Sequence, residues 1–382
     1  MVNYGNNIQT QPRENVMPPT KTKWNLDDHT LGKHRVLRNY MAAWLPKMLH
    51  YPRRVLFIDG FAGPGEYIDG EDGSPIIALE ALTSHSAFDK MQGEIIFVFI
   101  EKDQDRAKHL ESVVEPYKER LSENCIRIFN SPFSEKISEI LDAYESSGQR
   151  FPPAFVMIDP FGVAHAPMSV IRRILSYPST EVSFSFMYEA INRFGARPEF
   201  ERHLDDLFGC KDWREGLSVP DQDSKRMFFY DLYEECLREA GAESVLRYEL
   251  YKGEKPVYAI FFASQRLEGC EVMKDAMWKT SPSGSYQFKG AKAHQPLLGI
   301  DQIDFVPFRR ELRGEFGPRG WVSIEEVQQY VRSDKTFYRT GHLKVKTLRP
   351  METEGELEAR SSNPNWRPGI YPPGTQLRFL ML

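Results

Sequence analysis

Cysteine is scarce in this chain. Cys125, Cys210, Cys236 and Cys270 are the four present in 382 residues, and no two of them form a C-x-x-C pair. That argues against a zinc site built on cysteine pairs and against a secreted disulfide scaffold. Excess positive charge is also missing: 49 Lys and Arg against 54 Asp and Glu leave a formal net charge of −5. A uniformly basic polymer binder is excluded, so any nucleic-acid contact has to come from a local patch. No apolar run approaches the ~18 residues of a membrane span. The first residues lack the apolar stretch of a secretory leader. These absences predict a cytoplasmic protein with no membrane partner. What the chain does have is 41% hydrophobic and 13% aromatic residues, enough for sizeable cores. At ~150 residues per domain its length suggests two domains.

Residues 1–22 are rich in Asn, Gln, Pro and Thr without apolar periodicity, and read as a disordered tail. From Thr30 to Leu49 apolar residues recur at helical spacing. Apolar runs then alternate with helical segments: Arg54–Asp59, Glu94–Glu101, Ile126–Phe129, Ala154–Asp159 and Val182–Tyr188, with Val245–Leu250 and Val257–Ala263 later. Continuous Val/Ile/Phe runs separated by helices predict a parallel, doubly wound sheet buried on both faces. This α/β domain covers residues 23–280. Residues 281–300, rich in Gly, Ser and Lys, read as a linker, and residues 301–382 as a small α+β unit. No internal repeat is visible.

Three strand runs end in acids, Asp59, Glu101 and Asp159. In open α/β sheets ligands bind at that edge. After the first run comes I-D-G-F-A-G-P-G, Ile58 to Gly65. It lacks the Lys-Ser/Thr of a phosphate loop, and its glycines do not match the G-x-G-x-x-G dinucleotide fingerprint. The D-x-F-x-G-x-G form resembles the first motif of S-adenosylmethionine-dependent methyltransferases with a Rossmann-like sheet. That resemblance implies a cofactor turn of Asp59, Gly60, Phe61, Ala62, Gly63 and Gly65, with Asp59 near the methionine ammonium. Glu101, followed by Lys102, is suited to a bidentate hydrogen bond with ribose hydroxyls. The interval from Asp59 to Glu101 is about twice the ~20 residues of a plain unit, so an insertion containing Gly73-Ser74-Pro75 is expected. Ser131 and Phe133, past the third strand, lie where such folds place adenine contacts.

The fourth run ends in I-D-P-F-G, Ile158 to Gly162. It resembles the D-P-P-Y motif of amino-methyltransferases and the D-P-F-G of tRNA guanine-N2 methyltransferases. The likeness implies that Asp159 and the Pro160 carbonyl orient an exocyclic amine while Phe161 stacks on a base turned out of its helix. Gly162 stands where the D-P-P-Y motif has its aromatic. Asn192 and Arg193 follow the fifth run, and Arg193 is placed to bind a phosphate or to pair with Asp159. His29 and His34 have poor spacing for a metal, and none is expected.

Together these segments resemble the three-Cys-motif partner proteins. The resemblance rests on His29-Thr30 with Lys33-His34, Phe57 to Tyr67, Gly73 to Pro75, Ile100 to Asp103, Ile158 to Gly162, Ile191 to Arg193 and Met273 to Trp278, in order over residues 24–280. It implies a methyltransferase-like protein that works with a three-cysteine, radical-SAM-like partner.

In the C-terminal unit, Ser323 and Glu326 form a capping-box pattern. Lys335, Arg339, Lys344, Lys346 and Arg349 lie in one stretch without an acid. Residues 315–382 resemble a winged helix-turn-helix, with Thr340–Glu354 as recognition helix and basic side chains on phosphates of DNA or RNA. The reading is a methyltransferase for an exocyclic nucleobase amine. The alternatives are a non-catalytic, cofactor-binding adaptor that tethers the three-cysteine partner to nucleic acid, and a methyltransferase for a small molecule or peptide.

Overall fold

Along β1, Arg54–Asp59, side chains alternate between two buried faces. Leu56 and Ile58 enter one core, Val55 and Phe57 the other. A strand at the centre of a sheet covered on both sides requires an apolar residue at every position. β2 (Glu94–Glu101) and β4 (Ala154–Ile158) meet the same demand, being buried along almost their whole length. With β3 (Ile126–Asn130) and β5 (Thr180–Phe186) they form five parallel strands. β6 (Ser244–Lys252) and β7 (Lys255–Ser264) complete the central sheet, β7 running antiparallel to both β5 and β6. A two-residue β8, Gln287–Phe288, adds to the edge beside β6, giving the order β3-β2-β1-β4-β5-β7-β6-β8. The five parallel strands are the Rossmann-like α/β sheet that the sequence predicts; the reversed β7 departs from the all-parallel expectation. The computed structural model describes residues 21–26, 28–51, 53–252, 255–281, 287–288 and 303–380. The tail read over residues 1–22 and the linker read over 281–300 therefore lie mostly outside the described residues.

Helices cover both faces. On one, α1 (Asp28–Leu49), α2 (Ser74–Thr83), α3 (Gln104–Arg120) and the helix Leu267–Thr280 pack on Phe57, Phe97, Phe99 and Phe155. On the other, α4 (Phe133–Ser147), α5 (Met168–Leu175) and the helices Pro198–Phe208 and Gln222–Glu239 cover Ile58, Val156 and Phe184. No helix among the described residues is long and apolar enough to cross a membrane.

The C-terminal residues build a separate core around Phe308, Leu312, Val327, Val331, Leu343 and Leu377. Its sheet joins β9 (Trp321–Ser323), β10 (Leu357–Arg360) and β11 (Gln376–Phe379) in the order β10-β11-β9, all antiparallel. Ser323 and Glu326 close a reciprocal capping box at the start of Ile324–Arg332. The helix expected over Thr340–Glu354 is present as far as Thr353, with a π segment at its middle. One α turn, Thr340–Leu343, passes through a π segment, Lys344–Leu348, into a short helix, Arg349–Thr353. Pro350 lacks the N–H that would bond the carbonyl of residue 346, and the wider turn before it absorbs that break.

The unit is docked on the helix Leu267–Thr280. Lys274 is fully buried, and its ammonium donates to the carbonyls of Val331 at 2.6 Å and Ser333 at 2.7 Å. Trp278 donates to Phe337 O at 2.6 Å, and Arg332 and Arg339 pair with Glu271 and Asp275. Lys274→Met would leave two buried carbonyls without donors. It is expected to cost about 2–4 kcal/mol, read as a drop in unfolding free energy by chemical denaturation. A loss below about 0.5 kcal/mol would mean that these bonds do not hold the dock.

Candidate active site

At the end of β1 the chain has to leave the sheet within a few residues, and the glycine turn makes this possible. A Cβ on Gly60 would lie 2.4 Å from the ring of Phe133, so only glycine lets that aromatic pack beneath the turn. Gly63 and Gly65 follow at φ +64° and +86°, a left-handed conformation that glycine adopts without strain. A Cβ on Gly63 would approach nothing closer than Trp24, at 3.6 Å.

The three strand-end acids meet here, and each deals with burial differently. Asp59 is fully buried and accepts from Phe61 N–H at 3.1 Å and from the Ser74 hydroxyl at 2.6 Å. Burial pushes its carboxyl up to about 7, against two hydrogen bonds that favour the charged form; the charges of Asp159 and Glu101 push the same way as burial. Glu101 is raised by burial too, and accepts from Gly63 N–H at 2.9 Å and Asp103 N–H at 2.8 Å. Asp159 lies one residue past β4. Its two oxygens accept from the Lys33 ammonium of α1 at 2.9 and 2.7 Å. Burial alone would raise Asp159, but the Lys33 cation and hydrogen bonds from Lys33 and Ser185 hold it below the ordinary aspartate value. The Lys33 ammonium also sits 4.8 Å from the ring centre of Tyr258 on β7. His34 is pushed down to about 3 by burial and the Lys33 cation, so it is neutral.

An aromatic cover crosses this edge. Trp24 packs edge-on against Phe161 at 5.6 Å and Tyr67 at 5.8 Å, and the Arg106 guanidinium lies 5.0 Å from its ring. Ile68 N–H donates to Trp24 O at 3.1 Å, and Lys23 pairs with Glu66, which ties the segment down.

The expected residues fall into groups. Phe61 is half-buried and packs on Phe133, which is itself core at 3% exposed; Ala62 is buried. Ser131 is half-buried, with its N–H on Glu101 O at 3.1 Å; Lys102 is exposed. Pro160 is buried and Phe161 half-buried. Asn192 and Arg193 are exposed on the helix Tyr188–Phe194. The expected pairing of Arg193 with Asp159 is corrected: Lys33 takes Asp159, and Arg193 lies 3.7 Å from Glu189, one helical turn away. Among the described residues no three His, Cys, Asp or Glu side chains gather to hold a metal. Sequence reasoning assigned no site role to Trp24, Lys33, Tyr67, Arg106, Ser185 or Tyr258. Of these, Lys33 and Tyr67 carried a signal, each inside a segment on which the family resemblance rests.

No protein-family model and no curated protein matches the chain. Among solved structures it is similar to the O-methyltransferase from Bacillus cereus in complex with SAH, at 14% identity over 63% of this chain and 82% of that one, with a TM-score of 0.33. It is also similar to human methyltransferase-like protein 13 in complex with SAH, at 12% identity over 66% and 92%, with a TM-score of 0.34. At these values the likenesses carry no argument, and the fold class rests on the strand order.

Asp59 supplies a pH test. Its carboxyl titrates near 7 in the fold against 3.8 ordinarily. Its contribution to stability is therefore full below the ordinary value and lost as pH rises through 7. Asp59→Asn removes that dependence. The fall in unfolding free energy between about pH 5 and about pH 8 should shrink by about 2–3 kcal/mol, measured by urea denaturation at both pH values. An unchanged fall would mean that Asp59 does not titrate in this range.

Proposed function

We propose that this chain is an S-adenosylmethionine-dependent N-methyltransferase acting on an exocyclic nucleobase amine in DNA or RNA. The observation that carries the reading is the gathering of Asp59, Glu101 and Asp159 at one sheet edge around the left-handed Gly63 turn. Such an edge suits a ligand that is cationic at one end and carries ribose hydroxyls. Glu101 is the residue to take the hydroxyls, and the turn at Gly63 lets the ligand approach the backbone. Asp59 is 0% exposed and accepts from the Phe61 N–H and the Ser74 hydroxyl, so its part is to brace the loop. The cofactor supplies an electrophilic methyl group on a sulfonium. The chain's own residues would hold the acceptor, exclude water and keep the amine in line. Trp24 lies against Gly63, so the ligand has to share that space with the indole or displace it.

The C-terminal unit supports the polymer part. Its short helices and three-stranded antiparallel sheet support the winged helix-turn-helix reading, and Lys335, Lys346 and Arg349 are exposed on it. Lys344 donates to Tyr371 O at 2.6 Å and Arg339 pairs with Asp275, so these two serve the fold as well. The resemblance to the three-Cys-motif partner proteins adds a radical-SAM-like protein as partner. One observation favours the second reading, a non-catalytic adaptor: Lys33 already engages both oxygens of Asp159.

Calorimetry with S-adenosylmethionine tests the cofactor site, and absence of binding would overturn both readings. Methyl transfer to cellular DNA and RNA fractions separates them. Asp159→Asn should slow transfer about 100-fold while changing cofactor affinity far less. No transfer by the wild type, with the cofactor bound, would favour the adaptor. For the C-terminal unit, Lys346→Ala with Arg349→Ala should flatten the slope of log affinity against log salt by about 1 for each cation. An unchanged slope would remove these residues from the interface.

A further inference from the structure

Asp159 is the residue to which the proposed reaction gives the acceptor amine, and the amine it holds in the fold is the chain's own. The Lys33 ammonium donates to both oxygens of Asp159, at 2.9 and 2.7 Å, and lies 4.8 Å from the ring centre of Tyr258. A carboxylate and an aromatic face around one nitrogen form a site built for an alkylammonium. Lys33 is 8% exposed, so this placement is imposed by packing and is not a surface contact.

The pair also lies at the same sheet edge as the glycine turn. Asp159 is close enough to raise the carboxyl of Asp59, at the root of that turn. Phe161, two residues past Asp159, packs on Trp24, whose ring reaches the space above Gly63. His34, next to Lys33, packs on Tyr67, which packs on Trp24 as well. One continuous set of contacts thus links the Lys33 nitrogen to the turn assigned to the methyl donor.

We propose that Lys33 is a methylation site of this protein, modified by its own active site, with its ε-nitrogen in the acceptor position beside Asp159. This rests on the reading of the cleft as a methyl-transfer site. The Lys33 ammonium first gives a proton to water; the Asp159 side chain is 23% exposed, so water reaches the pair. The free amine lone pair forms a new N–C bond with the methyl carbon of the sulfonium donor. The C–S bond breaks, its electron pair stays on sulfur, and the neutral thioether leaves. The product is a secondary ammonium that keeps its charge, so the pair with Asp159 survives the modification. Further methylation would remove N–H donors one at a time.

The experiment is peptide mass spectrometry of Lys33, first on the protein as purified from cells. It is then repeated on the purified protein incubated with S-adenosylmethionine carrying a deuterated methyl group. Methyl on Lys33 as isolated, and a deuterated methyl on the remainder after incubation, are the expected results. Lys33→Arg should keep the ion pair and the fold and carry no methyl at this position. Asp159→Asn should reduce incorporation at Lys33 at least about tenfold while a denaturation curve reports whether it folds. A Lys33 unmodified in both samples, in protein that binds S-adenosylmethionine by calorimetry, overturns this proposal and leaves the proposed function standing. Protein that does not bind the donor overturns both. Incorporation at Lys33 that Asp159→Asn leaves unchanged in a folded protein also overturns it, since Asp159 would then not hold the acceptor.

Discussion

Crowding of three carboxylates at one sheet edge, two of them buried and one half-buried, is the constraint around which this domain is arranged. Parallel strands covered on both faces accept almost no polar side chains along their length. Their polar residues therefore collect toward the strand ends: Arg54 and Glu94 open β1 and β2, Asp59 and Glu101 close them, and Asp159 follows β4. Three like charges in so little water cannot all stay ionised without help. Each has its own solution: for Asp59 a carboxyl raised to about 7, for Glu101 two backbone N–H donors, for Asp159 the Lys33 ammonium. Asp59 also shows which effect wins. Two hydrogen bonds favour its charged form, and desolvation still outweighs them.

These solutions bind distant parts of the chain to the edge. Ser74 opens α2 with its hydroxyl on Asp59, so the helix that starts in the insertion is registered against the turn before it. Lys33 brings α1 to Asp159, 126 residues further along. Glu181 on β5 takes hydrogen bonds from Tyr40 and Trp44 of the same helix. α1 is thereby clamped to β4 and β5 at two levels, at the functional edge and deep under the sheet. Removing one partner of such a pair leaves a buried charge uncompensated, which costs more than the pair itself contributes. The entry of α1 into the cleft is for that reason a fixed feature of the fold.

Periodicity and strand-end chemistry made the sheet legible. β1 and β2 have the bounds that the apolar runs predict, because a centrally placed strand leaves no position to doubt. β5 starts two residues earlier than Val182, since Thr180 and Glu181 are buried polar residues that an apolar count does not register. The three acids and the glycine turn were legible for the same reason: polar groups stand out against an apolar strand. Lys33 was not. In sequence it is one cation among several on a helix, and only the packing of that helix turns it inward. Nothing in the sequence marked Trp24 as a cover. Arg193 erred the other way, since a basic residue beside a strand end has many partners, and the nearest one on its own helix competes for it.

The C-terminal stretch shows how one sequence feature can serve two demands. Lys335 to Arg349 reads as a solvated basic surface, yet the segment also docks its unit on the helix Leu267–Thr280. Arg339 turns to Asp275, and Thr340 donates to Glu271 at 2.7 Å. Cations used in this way are partly neutralised and contribute little to a polymer's counterion release. Lys335, Lys346 and Arg349 remain exposed on the outer side of the same segment. One cation of the stretch, Arg339, faces the dock, and Lys344 bonds within its own unit. Any surface offered to a polymer is therefore held in a fixed orientation relative to the sheet edge, since the helix that carries the dock packs on α1, and α1 carries Lys33.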